Sequence, residues 1–209
     1  MWLIVGLGNP GPAYLHTRHN VGFSVVRQLL TQMGGLRLRP ALGGVVGSGQ
    51  LGGAPVTICQ PMTYMNRSGG PVGDLAEALG IPAHQVLVIH DDLDLPFGTI
   101  RCKKRGGHGG HNGLRDIARR IGRDHPRVRF GIGRPGEGEA VSDHVLGPWS
   151  DKEQLRINDH LSRAAAAVEA TVTLGLDAAM NQFNVRVPLA AEHPPRKTPR
   201  ASDEVREKT

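Results

Sequence analysis

The sequence predicts a single α/β domain with a mixed, mostly parallel central sheet flanked by helices. Three observations carry this. Short apolar runs, above all Val86-Leu87-Val88-Ile89, have the length and composition of strands buried on both faces. Segments with apolar residues at helical spacing interleave with those runs along the chain. No internal repeat divides the 209 residues, a length that suits one well-buried domain.

Taken in order, residues 2–6 form an apolar run ending in glycine, a buried strand, and Leu7 to His19 is rich in turn formers. Asn20 is placed to cap a helix whose Val25, Val26, Leu29, Leu30 and Met33 recur at helical spacing, with Gly34-Gly35 ending it. Residues 44–60 read as a hairpin closing on a strand from Pro55 to Cys59. Pro61 to Arg67 is a loop, and Ser68 to Leu79 a helix stopped by Gly80 and Pro82. The run at 86–89 delivers His90, Asp91 and Asp92 at its C-terminal end. A strand over Gly98 to Lys103, a glycine loop, a helix from Asn112 to Ile121 and a strand from Val128 to Ile132 follow. Ser150 with Glu153 three residues later is a capping-box pattern, expected to open one long Ala-rich helix reaching Leu174. The domain is thus expected to span 1–187. Residues 188–209, with four prolines and five basic against four acidic residues, read as a disordered tail.

No stretch approaches the roughly 18 apolar residues of a membrane span. Met1-Trp2-Leu3-Ile4-Val5-Gly6 has no charged n-region, so no signal peptide is expected. Cys59 and Cys102 offer no disulfide framework and fit a reducing compartment. A cytoplasmic location is expected. Charge is uneven: the net is +6, yet residues 101–134 hold eleven Arg or Lys against Asp116 and Asp124. Such a concentration suits either a polyanionic partner or a solvated face of a basic protein.

Gly6-Leu7-Gly8-Asn9-Pro10-Gly11 formally matches the dinucleotide fingerprint GxGxxG. That reading fails because Pro10 and Pro12 favour an extended turn where a helix must open, and no acid precedes Asp74 to hold a ribose. The loop instead supplies Asn9 at a strand end and Thr17-Arg18-His19-Asn20 before a helix. If His19 and Asp91 meet, a general base results, with the carboxylate fixing its tautomer. Asn9, Asn66 and Asn112 sit at element boundaries, where an amide can orient a water or a peptide group. Gly106 to Gly113, with His108, His111 and Asn112 among glycines, permits close backbone approach before a helix N-terminus. His108 and His111 have zinc-like spacing, but no third ligand follows at metal-site spacing, so no metal and no cofactor is expected. There is no Gly-x-Ser-x-Gly elbow.

Together these segments resemble the bacterial peptidyl-tRNA hydrolases. The matching pieces are residues 5–11, Tyr14 with 17–20, 61–66 with Ser68-Gly69, 90–96, 106–114 and 129–135, in family order over about the first 185 residues. The resemblance implies a monomeric, metal-free esterase that cuts the peptide from the 3′ ribose of tRNA. It implies His19 as the catalytic base, Asp91 as its supporting acid, and Asn9 as the group that distinguishes a blocked peptide from a free amino acid. Tyr14, Tyr64, Asn66 and Asn112 match substrate-contacting positions, with Met65 and His111 beside them. Lys103 and Arg129 match residues that hold tRNA phosphates. A non-enzymatic RNA-binding protein on the same scaffold is the alternative.

Overall fold

Every central strand carries apolar residues on both sides, and the structure, a computed structural model describing residues 1–185, covers both sides with helices. Strand β1 (Trp2–Gly6) leads through two 3-10 turns, Pro12–Tyr14 and Arg18–Asn20, into α1 (Val21–Gln32). Then β2 (Arg39–Ala41), β3 (Gly44–Leu51) and β4 (Ala54–Pro61) form a meander, and a 3-10 turn at Met65–Arg67 opens onto α2 (Gly69–Ala78). Next come β5 (Val86–Asp92), β6 (Ile100–Lys103), α3 (Asn112–Ile121) and β7 (Arg127–Gly131). The last elements described are α4 (Val141–Leu146), α5 (Asp151–Gln154), α6 (Ile157–Thr173) and α7 (Leu176–Phe183).

The strand order is β2-β3-β4-β1-β5-β7-β6. The pairs β4–β1, β1–β5 and β5–β7 are parallel, whereas the flanking pairs are antiparallel. The sheet is therefore mixed, parallel at its centre. Side chains alternate strictly between two cores. Ile4, Ile58, Leu87, Ile89 and Phe130 pack with α1, α6 and α7, while Leu3, Val5, Val86 and Val88 pack with α2 and α3.

Register positions the site. Val5 pairs with Val88 and Gly6 with Ile89, so the loop leaving β1 emerges beside His90 and Asp91. Helix α1 is pressed onto this junction through Gly22, where a Cβ would sit 2.4 Å from the Leu7 nitrogen and 2.5 Å from the Ile89 oxygen. No helix opens inside the glycine run after β1; the first turn there is Pro12–Tyr14.

Two local readings are corrected. Asn20 occupies the N-cap position of α1 without a side-chain cap bond, because its amide is spent on Asn9. The Ser150–Glu153 capping box exists, but it opens only the four residues of α5. The chain breaks at Leu155, which is 86% exposed, before α6 turns its Ala164, Ala165, Ala167 and Val168 onto the sheet. The short elements β2, α4 and α7 carry too few residues for a periodic signal. Past α7, Asn184 accepts from the Cys102 backbone nitrogen at 2.8 Å and donates to its carbonyl at 2.9 Å, on the edge strand β6. Among the described residues no helix is long and apolar enough to cross a membrane. The expected boundary at 187 and the tail at 188–209 lie outside the described residues.

Candidate active site

His19 sits on the 3-10 turn before α1, and Asp91 near the end of β5. Seventy-two residues apart in sequence, they touch: His19 Nδ1 lies 2.9 Å from each Asp91 carboxylate oxygen. Nδ1 therefore donates to the carboxylate, and Nε2 keeps the basic lone pair. His111 reaches the same carboxylate, its Nε2 2.9 Å from Asp91 Oδ1. The Leu114 backbone N–H donates to His111 Nδ1 at 3.4 Å, which assigns the proton to Nε2. Both ring nitrogens of His111 are thus occupied within the protein, while the residue itself lines the cleft.

Asn9 is 7% exposed and held from three directions. Its backbone nitrogen donates to Asn20 Oδ1 at 2.8 Å and its carbonyl accepts from Asn20 Nδ2 at 2.9 Å. Its own Oδ1 accepts the Met65 backbone N–H at 2.7 Å. With Oδ1 committed to the Met65 N–H, the amide N–H groups of Asn9 are what it has left to offer the cleft it lines. Asn20 is the fixing residue that sequence reasoning passed over, since an Asn before a helix reads as a cap.

Electrostatics follow from burial and this shared carboxylate. Burial lowers the His19 pKa, but the charge and hydrogen bond of Asp91 outweigh it, and the value is raised above 6.5. Burial of Asp91 favours its neutral form, yet His19 and His111 together hold the carboxyl well below the usual range. His90 is buried beside His111, and desolvation followed by the proximity of His111 lowers its pKa well below the ordinary value, leaving it neutral. His19, Asp91 and His111 also place three ligand-type atoms within 4.8 Å of one another. Those atoms face each other as N–H donors and a carboxylate acceptor at 2.9 Å, and a cation would have to displace both protons. His108 stands apart from this group, its Nδ1 accepting from Gly110 at 3.1 Å.

A cleft of about 820 Å³ opens over the cluster. Asn9, His19, Tyr64, Met65, Asn66, Asp91, Lys103, His111, Asn112 and Arg129 all line it. Tyr14 does not, and instead meets the Tyr64 ring edge-on with centroids 6.4 Å apart. Asn112 also accepts from Arg115 on the next turn of α3. One wall was unforeseen: Val141, Val145 and Leu146 of α4, with Leu93, form an apolar side.

The basic window divides on inspection. Arg127 is 2% exposed and donates to the Gly106 and Gly107 carbonyls at 2.6 and 2.7 Å, so it anchors the glycine loop and is absent from the surface. Arg120 pairs with Asp74 and Glu77, Arg134 with Asp94, and Arg129 with Asp92 at 2.7 Å. Lys103 lines the cleft without an ion pair among the described residues.

In class, an α/β domain with a buried histidine–carboxylate cluster at the carboxyl ends of its parallel strands is an enzyme fitted for acid–base chemistry. The peptidyl-tRNA hydrolase family model matches residues 3–192. A peptidyl-tRNA hydrolase of Syntrophotalea carbinolica is 48% identical over 188 residues, 90% of this chain and 98% of that protein. One from Rhodococcus erythropolis is 46% identical, covering 87% and 97%. The crystal structure of the Acinetobacter baumannii peptidyl-tRNA hydrolase superposes with a TM-score of 0.83 at 45% identity, over 88% of this chain and 94% of that one. The chain belongs to the peptidyl-tRNA hydrolase family.

Proposed function

We propose that this enzyme hydrolyses the ester joining a peptide to the 3′ ribose of tRNA, with His19 as general base and no covalent intermediate. One observation carries the mechanism: His19 Nδ1 is anchored on Asp91, so Nε2 is the basic atom on a cleft wall. Nε2 takes a proton from water as the water oxygen bonds to the ester carbonyl carbon. The carbon–oxygen bond to ribose then breaks, and the proton passes from His19 to the departing ribose oxygen. Asp91 stabilises the imidazolium between these steps. A positioned base of this kind contributes roughly 10²–10⁴-fold.

Asn9 supplies the choice of substrate. Its amide N–H can bond the carbonyl of a blocked, peptide-like N-terminus, whereas a free α-ammonium offers only donors in return. Tyr64, Met65, Asn66 and Asn112 bound the cleft where the peptide ester and terminal nucleotide would lie. Lys103 and Arg129 hold phosphates, with Arg129 oriented by Asp92. The enzyme acts as a cytoplasmic monomer, recycling tRNA from prematurely released or stalled translation products. Tyr14 supports Tyr64 from outside the cleft.

The deciding assay is release of labelled peptide from an N-acetylated aminoacyl-tRNA, with EDTA present and unblocked aminoacyl-tRNA as control. Cleavage of the blocked substrate alone is expected. Tight tRNA binding without cleavage would establish the non-enzymatic RNA-binding alternative.

A further inference from the structure

The residue before His19 faces away from Asp91 and does something else. Arg18 Nη2 bonds Glu153 Oε2 at 2.7 Å, Nη1 donates to the His144 carbonyl at 3.3 Å, and the guanidinium lies 5.6 Å from the centroid of the Trp149 ring. Its backbone nitrogen donates to the Gly147 carbonyl at 3.1 Å, and the neighbouring Thr17 bridges to Pro148. One residue therefore ties the turn that carries His19 to the whole stretch from the end of α4 to the start of α5. The pair is not a solvated surface contact, since the two side chains are only 11% and 16% exposed. Glu153 is fixed from its other side as well, accepting from the Ser150 nitrogen and hydroxyl.

Helix α4 needs such a tether. Six residues are too few to hold a helix alone. A cation at its C-terminal carbonyls adds a second donor to the His144 oxygen, which otherwise accepts only the cap N–H of Gly147, and opposes the negative end of the helix dipole. The fit is close: a Cβ at Gly147 would lie 3.3 Å from Arg18 Nη1 and 2.8 Å from the Asp143 oxygen.

We propose that Arg18 is a positioning residue that holds α4 as the apolar wall of the cleft at a fixed distance from His19, and so sets affinity for the peptide part of the substrate. This rests on the peptidyl-tRNA hydrolase reading above. Val145 and Leu146 lie on the wall and Arg18 on its far end, so the guanidinium never touches the reacting atoms.

The test is steady-state kinetics of Arg18→Gln, Arg18→Lys and Glu153→Gln on N-acetylated aminoacyl-tRNA and on a tRNA bearing a longer apolar peptide. Arg18→Gln should raise KM for the longer peptide by roughly tenfold, the size of one charge-assisted hydrogen bond. KM for the N-acetyl substrate should move less, and the pH midpoint of kcat should stay at the wild-type value. Glu153→Gln, which keeps Arg18, should show a smaller rise of the same kind. Arg18→Lys should fall between, since an ammonium can pair with Glu153 but cannot also stack and reach the His144 carbonyl. Lowered thermal stability with both KM values unchanged would overturn the proposal and leave Arg18 a structural residue. A shifted pH midpoint would overturn it differently, by showing that Arg18 acts through the His19–Asp91 pair. His19→Ala measured alongside separates the two ideas: retained turnover there sinks the general-base reading and says nothing against the KM effect.

Discussion

At the scale of single residues, the site is organised around one carboxylate. Asp91 serves two histidines at once, and only one of them, His19, is left with a basic nitrogen. Its raised pKa has a definite sign in two measurements. If His19 is the general base proposed above, its basic form is the active one and kcat/KM should climb through a midpoint above 6.5. The same pair adds folding stability that is complete below pH 6.5 and is lost as pH rises through the folded-state value. Asp91→Asn removes the charge but leaves the burial, so the kcat/KM midpoint should move to lower pH while the plateau falls by roughly 10²–10⁴-fold as the tautomer is lost. An unmoved midpoint in a pH–rate series on N-acetylated aminoacyl-tRNA would break the assignment. Much of this was legible in the sequence, but only as separate residues. Nothing in the spacing of His19 and Asp91 says that they meet; the register of β1 against β5 does. Asn20 and Arg127 were misread for the opposite reason, because each has a strong local meaning, helix cap and surface cation, that a tertiary contact overrides.

At the scale of elements, His19 hangs from a short turn between β1 and α1, and Asp91 from the C-terminal end of strand β5. The elements that sequence reading placed well have a plain local signal, helical spacing in α1 and an unbroken apolar run in β5. The six-residue α4 and the break at Leu155 carry no period to read, yet α4 forms a cleft wall. A tight junction lies at Gly22, where α1 meets the ends of β1 and β5. Gly22→Ala should overpack that contact and destabilise the fold by about 1–3 kcal/mol in urea unfolding. Because the shift would separate the His19 turn from β5, kcat should fall in the protein that remains folded. A variant of wild-type stability would mean that α1 can slide and that the close approach is not what holds the turn.

At the scale of the whole molecule, part of the basic window, Lys103, Arg127 and Arg129, lines the cleft. Eleven cations in residues 101–134 suit either a polyanionic partner or a solvated face, and the structure shows that Arg120, Arg127 and Arg134 are spent on acids or loop carbonyls. On the cleft wall, Lys103 and Arg129, the latter steered by its pair with Asp92, are the cations proposed to face a phosphate backbone. Lys103→Ala with Arg129→Ala should weaken tRNA binding across all sequences and reduce the slope of log Kd against log salt by roughly 1–2, one unit at most per lost contact. An unchanged slope from filter-binding titrations would place the tRNA on another face.

The bond between Asn184 and the Cys102 main chain has a bearing on how the molecule is made. Strand β6 is an outer edge of the sheet, and the group that covers its Cys102 peptide is translated roughly 80 residues after the strand itself. At a synthesis rate of roughly 5–20 residues per second that is a wait of roughly 4 to 16 s during which a nascent strand has an open flank. A chain that stops after α6 but short of residue 184 thus contains both His19 and Asp91 yet lacks the group that covers the Cys102 peptide on the edge strand.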